Sequence, residues 1–87
     1  MEKVIAILND RWRVVDDGRP SPYHSWELQR FDSGHWKGKT FCQTREVLLR
    51  SIKEKITDVH RYYRGATPIP VDESALKSLA SLPDRLQ

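Results

Sequence analysis

Three short segments of this chain each set a tryptophan into a run that alternates apolar with polar residues, and a long amphipathic stretch follows them. In 11–15, Trp12 and Val14 alternate with Arg11 and Arg13, the period of a strand with one buried face. In 26–31, Trp26, Leu28 and Arg30 share one face while Glu27, Gln29 and Phe31 share the other. The third run is 36–41, joined to the second by Asp32-Ser33-Gly34-His35, a connection of hairpin length. Such runs cannot remain isolated, because a two-stranded ribbon alone is only marginally stable in water.

The stretch after them reads as a helix over 44–64. Thr44 is placed to accept a hydrogen bond from a free backbone N–H of the first turn, and Glu46 complements the positive helix end. Leu48, Ile52, Ile56, Val59 and Tyr63 recur at three- and four-residue spacing, with charged residues opposite. Upstream, 4–8 is a short apolar run of strand length, closed by Asn9-Asp10. Downstream, 66–71 holds Pro68 and Pro70 and reads as an extended connector. Asp72 then caps a short helix over 72–82, carrying Ala75, Leu76, Leu79 and Ala80 and stopped by Pro83. The expected fold is therefore α+β, a single domain over 1–87. Strands within 4–41 form a three-stranded antiparallel sheet, four-stranded if 4–8 joins it. That sheet packs on one long amphipathic helix, and a short C-terminal helix follows.

Eighty-seven residues leave little room for a large core, so the eight aromatic side chains matter: each brings a large apolar area per ordered residue. With 38% hydrophobic and 31% charged residues, the composition is that of a globular chain rather than a disordered one. No apolar run has membrane-spanning length, and the apolar middle of 1–10 is too short for a signal peptide. The single cysteine cannot form an intramolecular disulfide and fits a reducing, cytoplasmic setting.

Catalytic constellations are not visible. His24, His35, His60 and Cys42 match no zinc spacing, and the reading is of solvated histidines and a small buried thiol at a strand end. Asp16-Asp17, beside Gly18 and Pro20, reads as a turn in which the aspartates bond nearby backbone. No third group orients Cys42 and a histidine as a nucleophile pair. The expectation is a non-enzymatic protein with no cofactor and no metal.

The net charge of +3 is unevenly distributed. Residues 11–41 carry six Lys/Arg against four Asp/Glu, and 44–64 carry six against three. Arg11, Arg13, Arg30, Lys37 and Lys39 lie on strands, where those pointing away from the helix would form a basic sheet face. Arg50, Lys53, Arg61 and Arg64 form a stripe on the helix. Interleaved Glu27, Asp32, Glu46 and Glu54 dilute both surfaces for phosphate binding. Trp12 and Trp26 read as core, while Trp36 is a candidate for an exposed anchor. The candidate partner-contact residues are Trp36, Lys37, Lys39, Arg13, Arg30, Arg50, Lys53, Arg61 and Tyr62.

The series Arg-Trp-Arg-Val, Trp-Glu-Leu-Gln-Arg and Trp-Lys-Gly-Lys-Thr-Phe-Cys-Gln-Thr-Arg-Glu-Val-Leu-Leu-Arg resembles short uncharacterised proteins of phages, prophages and alphaproteobacterial genomes. The resemblance covers 11–56, and 71–82 is similar to their ending. It implies a mobile-element origin, where small single-domain proteins serve as regulators or as inhibitors of host defence, anti-CRISPR proteins included. The entry into the helix at Phe41-Cys42-Gln43-Thr44-Arg45-Glu46, after basic strands, is also similar to the arm-type DNA-binding domains of phage integrases, which lay a three-stranded sheet on duplex DNA. The first resemblance implies a protein or ribonucleoprotein target occluded by binding, and the second implies direct DNA binding. A third reading is a structural module that forms a homodimer through Tyr62, Tyr63 and the leucine-bearing tail. No membrane partner is expected.

Overall fold

Strand alternation and cap chemistry are both realised in the structure, a computed structural model that describes residues 2–57 and 71–86. Four strands, β1 (Lys3–Ile7), β2 (Trp12–Asp16), β3 (Trp26–Asp32) and β4 (His35–Cys42), form one antiparallel sheet in the order β1-β2-β3-β4. The run at 4–8 thus joins the sheet, making four strands rather than three. Asn9 closes the β1–β2 connection: its Oδ1 accepts from the N–H groups of Arg11 (2.8 Å) and Trp12 (2.9 Å). β3 and β4 meet through Ser33 and Gly34, with φ of 52° and 81°, the left-handed pair that a tight two-residue hairpin requires.

One face of the sheet carries the helices. Helix α1 (Arg45–Ile52) begins at Thr44, whose hydroxyl accepts from the Val47 N–H at 3.2 Å. Helix α2 (Glu73–Ala80) begins at Asp72, whose carboxylate accepts from the Ser74 N–H at 2.9 Å. Between sheet and helices lies one cluster in which Ala6, Leu8, Val14, Trp26, Leu28 and Cys42 meet Leu48, Ile52, Ile56, Ala75 and Leu79, with Trp12 packed at its margin. The core roles expected for Trp12 and Trp26 are therefore observed. So is the burial of Leu48, Ile52 and Ile56.

The single long helix over 44–64 is not what forms. The α-helix runs only from Arg45 to Ile52 and continues as a π-helical segment, Lys53–Thr57; the rest of that span lies outside the described residues, Val59 and Tyr63 included. The spacing of the buried side chains supplies the physical reason. Leu48, Ile52 and Ile56 are four residues apart, and on a 3.6-residue turn each such step rotates a side chain about 40° off the core. A wider turn slows that rotation and keeps Ile56 over the sheet. Helix is therefore shared between two separate segments.

The C-terminal segment closes over the start of α1. The Arg45 N–H donates to the Asp84 carbonyl (2.9 Å) and the Leu86 N–H to the Gln43 carbonyl (2.9 Å). The Arg45 guanidinium donates to the Leu82 carbonyl (2.8 Å) and pairs with the Asp84 carboxylate (2.6 Å). No helix among the described residues is long and apolar enough to cross a membrane.

Candidate interaction surface

The face of the sheet turned away from the helices is assembled by two bulges. Side chains alternate along a regular strand, so Trp36 and Phe41, five residues apart, belong on opposite faces. In β4 the pairing shifts: Thr40 lies opposite Leu28 and Gly38 opposite Gln29, which leaves Lys39 as an extra residue. Trp36 and Phe41 consequently share the open face. In β1, Val4 pairs with Val15 and Ala6 with Val14, so Ile5 is the extra residue and Val4 and Ile7 reach that same face. Both bulges lie on the outermost strands of the described sheet, where they also make the edges poor templates for further pairing.

The register arranges the open face in three rows. Val4, Val15, Glu27 and Phe41 form the first, and Ile7, Arg13, Gln29 and Gly38 the second. Arg11, Phe31 and Trp36 form the third, fixed by the Phe31 N–H donating to the Arg11 carbonyl at 2.8 Å. A polar network ties the centre together. Arg13 Nε donates to Gln29 Oε1 (2.7 Å), and Gln29 Nε2 donates to Glu27 Oε1 (2.9 Å) and to Glu2 Oε2 (3.4 Å). The Arg13 guanidinium approaches Glu2 at 3.6 Å and lies 4.3 Å from the centre of the Trp36 ring, which meets Phe31 edge-on at 5.2 Å. Gln29 is only 4% exposed and Val15 is fully buried, although neither faces the helices. Glu27 rests over Gly38: a β-carbon there would fall 2.3 Å from its Oε1.

Around this network, Val4, Ile7, Phe31 and Phe41 remain 42%, 64%, 38% and 60% exposed. The face is thus largely apolar at its periphery and internally paired at its centre, where Glu2 offsets Arg13 and Gln29 bridges to Glu27, while Arg11 is exposed in the outer row. Beside it, Phe41 also lines a shallow cleft of about 510 Å³ with Arg19, Tyr23, Gln43 and Val47.

Comparison with family models, curated proteins and solved structures gives no match. Assignment of the surface therefore rests on its geometry. Of the residues singled out in the sequence, Arg13 and Trp36 meet on the open face. Arg30 and Lys37 pair across β3 and β4 on the helix-bearing side, where Arg30 lies 5.9 Å from the Trp12 ring centre and Lys37 is 3.9 Å from Asp32. The five strand cations thus do not form one basic face: Arg11 and Arg13 lie on one side, Arg30 and Lys37 on the other, and Lys39 at the bulge. Arg50 and Lys53 are exposed on the helical segment, away from the open face. Arg61, Tyr62, Arg64 and His60 lie outside the described residues. Ile7, Val4, Phe31 and Phe41 were not among the sequence candidates. The one signal for them is Gly38 within a strand, a mark of a bulge or a close approach.

Two polar clusters complete the map. Asp16, Asp17 and His24 each bring one candidate ligand atom within 4.8 Å of the others. Their groups are already engaged. Asp16 Oδ1 accepts from the Gly18 N–H (2.9 Å) and lies 2.5 Å from His24 Nε2. Asp17 Oδ1 accepts from the N–H groups of Arg19 and Ser25 (3.1 Å each), and its Oδ2 accepts from the Ser25 hydroxyl (2.7 Å). Burial raises the Asp17 carboxyl, but the hydrogen bonds from Ser25 and Arg19 and the Arg19 charge outweigh it and hold the group below its ordinary range. The cluster clasps the loop between β2 and β3, the turn role expected for the paired aspartates. Cys42 ends β4 at 1% exposure; burial pushes its thiol up, against a hydrogen bond with Ser51.

Proposed function

We propose that the protein is a non-enzymatic binding domain that acts by covering a protein partner with the open face of its sheet. The observation that carries this reading is the set of four exposed apolar side chains, Val4, Ile7, Phe31 and Phe41, around a charge network that is already satisfied. Protein interfaces take this form, with apolar and aromatic side chains together with arginine and few unpaired charges at the centre. A polyanion requires unopposed cations instead. Here Arg13 is held by Glu2 and Gln29, and Arg30 and Lys37 lie on the other side of the sheet. Direct duplex binding through a basic sheet is thus the less favoured reading.

The resemblance of 11–56 and 71–82 to small phage and prophage proteins extends the proposal to a mobile-element accessory protein. In that role it would occlude host nucleic-acid-handling machinery, a protein or ribonucleoprotein target of the CRISPR-effector kind, in the cytoplasm. The test is phage plating on hosts carrying a panel of CRISPR systems, with wild-type protein and with Ile7→Asp and Phe41→Asp. The reading predicts restored plating with wild type, lost with either variant while the fold is kept. It also predicts no retardation of naked duplex or single strands at physiological salt. Tight, salt-sensitive binding to naked DNA, with plating never restored, would refute it.

A further inference from the structure

We infer that the cleft beside Phe41 is a binding site for a small aromatic carboxylate, its ring seated against Tyr23 and Phe41 and its carboxylate on the Arg19 guanidinium. Two segments bound the cleft. The β2–β3 loop supplies Arg19 and Tyr23, and the entry to α1 supplies Gln43 and Val47, with Phe41 and Cys42 at the end of β4 between them. Its volume of about 510 Å³ falls within the roughly 300–1,000 Å³ typical of small-ligand sites. Both walls are held in place by the protein itself. Gln43 Nε2 donates to the carbonyls of Pro22 (2.8 Å) and His24 (3.2 Å), which fastens the loop to the start of the helix. The Asp17–Ser25 bonds fasten the same loop to the end of β2. A site built in this way gives up little freedom when a ligand enters.

The lining sets the chemistry. Tyr23 and Phe41 are large aromatic side chains left exposed to water, and Val47 adds apolar surface beside them. A flat ring removes that area from water, and ring–ring contact favours an aromatic group over an aliphatic one. Arg19 is the only charged side chain among the described residues that line the cleft. Its Nε lies 4.0 Å from Asp17 Oδ2, too long for a hydrogen bond. The Asp17 oxygens already accept from the N–H groups of Arg19 and Ser25 and from the Ser25 hydroxyl. The guanidinium thus keeps its donors for an acceptor in the cleft, and its planar fork of N–H groups suits a carboxylate. Burial pushes the Cys42 thiol up, so no thiolate competes for that cation. Together the two requirements select a ring that carries an acid over a bare anion or a neutral apolar group.

Three probes separate the requirements: phenylacetate carries ring and charge, phenylacetamide keeps the ring alone, and acetate keeps the charge alone. Binding is followed through the amide and methyl signals of isotope-labelled protein. Ligands of this size on an open cleft dissociate at about 1–10 mM. The expected result is that phenylacetate shifts the signals of Tyr23, Phe41 and Val47 and saturates them in that range, while acetate leaves them in place. Phenylacetamide binds at least about threefold more weakly, the scale of an exposed ion pair. Arg19→Gln lowers phenylacetate to the level of the amide, and Phe41→Ala weakens both ring-bearing probes at least about threefold. Lys77→Glu, on the exposed side of α2, changes neither. Circular dichroism on every variant separates lost binding from lost fold. Ile7 lies on the open face outside the cleft, so the plating result with Ile7→Asp bears on target occlusion and not on this site. No saturable shift in the cleft, equal binding of phenylacetate and phenylacetamide, or binding indifferent to both Arg19→Gln and Phe41→Ala overturns the proposal.

Discussion

Replacing Ile52 with alanine tests whether α1 is held to the sheet as described. Ile52 is 3% exposed and belongs to the cluster that holds Trp26, Leu28, Leu48 and Ile56. The substitution removes three buried carbons, worth about 2.4 kcal/mol at roughly 0.8 kcal/mol each. A residual cavity of about 50 Å³, at roughly 24 cal/mol per Å³, adds about 1.2 kcal/mol. The sum of about 3.6 kcal/mol is a large share of the roughly 4–13 kcal/mol that a chain of 87 residues commands. For a domain of this size it lowers the melting temperature by about 15–25 °C. Thermal melts followed at 222 nm, with urea titrations to obtain the free energy, read the effect. Tyr23→Ala, at a side chain 68% exposed, serves as the control and should move the midpoint little. An Ile52→Ala midpoint within about 2 °C of wild type, a shift typical of surface substitutions, would refute the packing of this helix on the sheet.

Three further outcomes follow from the polar sites. Asp17 has its carboxyl below the ordinary value of 3.8, so its stabilisation is full above that value and is lost as pH falls through the folded pKa. Asp17→Asn should therefore melt well below wild type at neutral pH, by roughly 1–3 kcal/mol for an impaired buried acceptor, and the gap should close progressively below pH 3.8; a gap independent of pH would remove the ionised role. Cys42, buried with its thiol pushed up, should react with a disulfide reagent only through opening of the fold, reaching the free-thiol rate in denaturant; rapid reaction in the native protein would place it elsewhere. Gly38→Ala should displace the Glu27 carboxylate and break its bond from Gln29, for about 1 kcal/mol; an unchanged melt would mean Glu27 does not rest over this position.

Much of this fold can be read in the residues themselves. Trp12 with Val14, and Trp26 with Leu28, mark half-buried strands because a sheet with one covered face demands period two. Thr44 and Asp72 mark helix starts because a free N–H needs an acceptor. Thr44 does so independently of what the helix packs against. The remainder depends on pairing, which a single strand does not encode. Nothing in Ile5 announces a bulge, and in β4 only Gly38 hints at one, yet those two insertions decide that Phe41 joins Trp36 and Val4 joins Ile7. Gln29 looks like a solvent-facing residue and is buried, because Arg13 from the neighbouring β2, Glu27 from its own strand and Glu2 from beside β1 converge on it. The split of Arg30 and Lys37 from Arg11 and Arg13 follows strand parity, but which side the helices cover is set only in three dimensions. The π turn at Lys53–Thr57 is hinted at only by the four-residue spacing of Leu48, Ile52 and Ile56.

Site-specific photo-crosslinking in host cells tests the central claim, that the open sheet face is the interaction surface. A photoreactive residue is placed at position 7 or 41 on that face and, for comparison, at position 77 on α2, and the adducts are identified by mass spectrometry. Adducts from positions 7 and 41 to one protein partner, with none from position 77, are the predicted result. Adducts only from position 77, or adducts to nucleic acid from the open face, would contradict it.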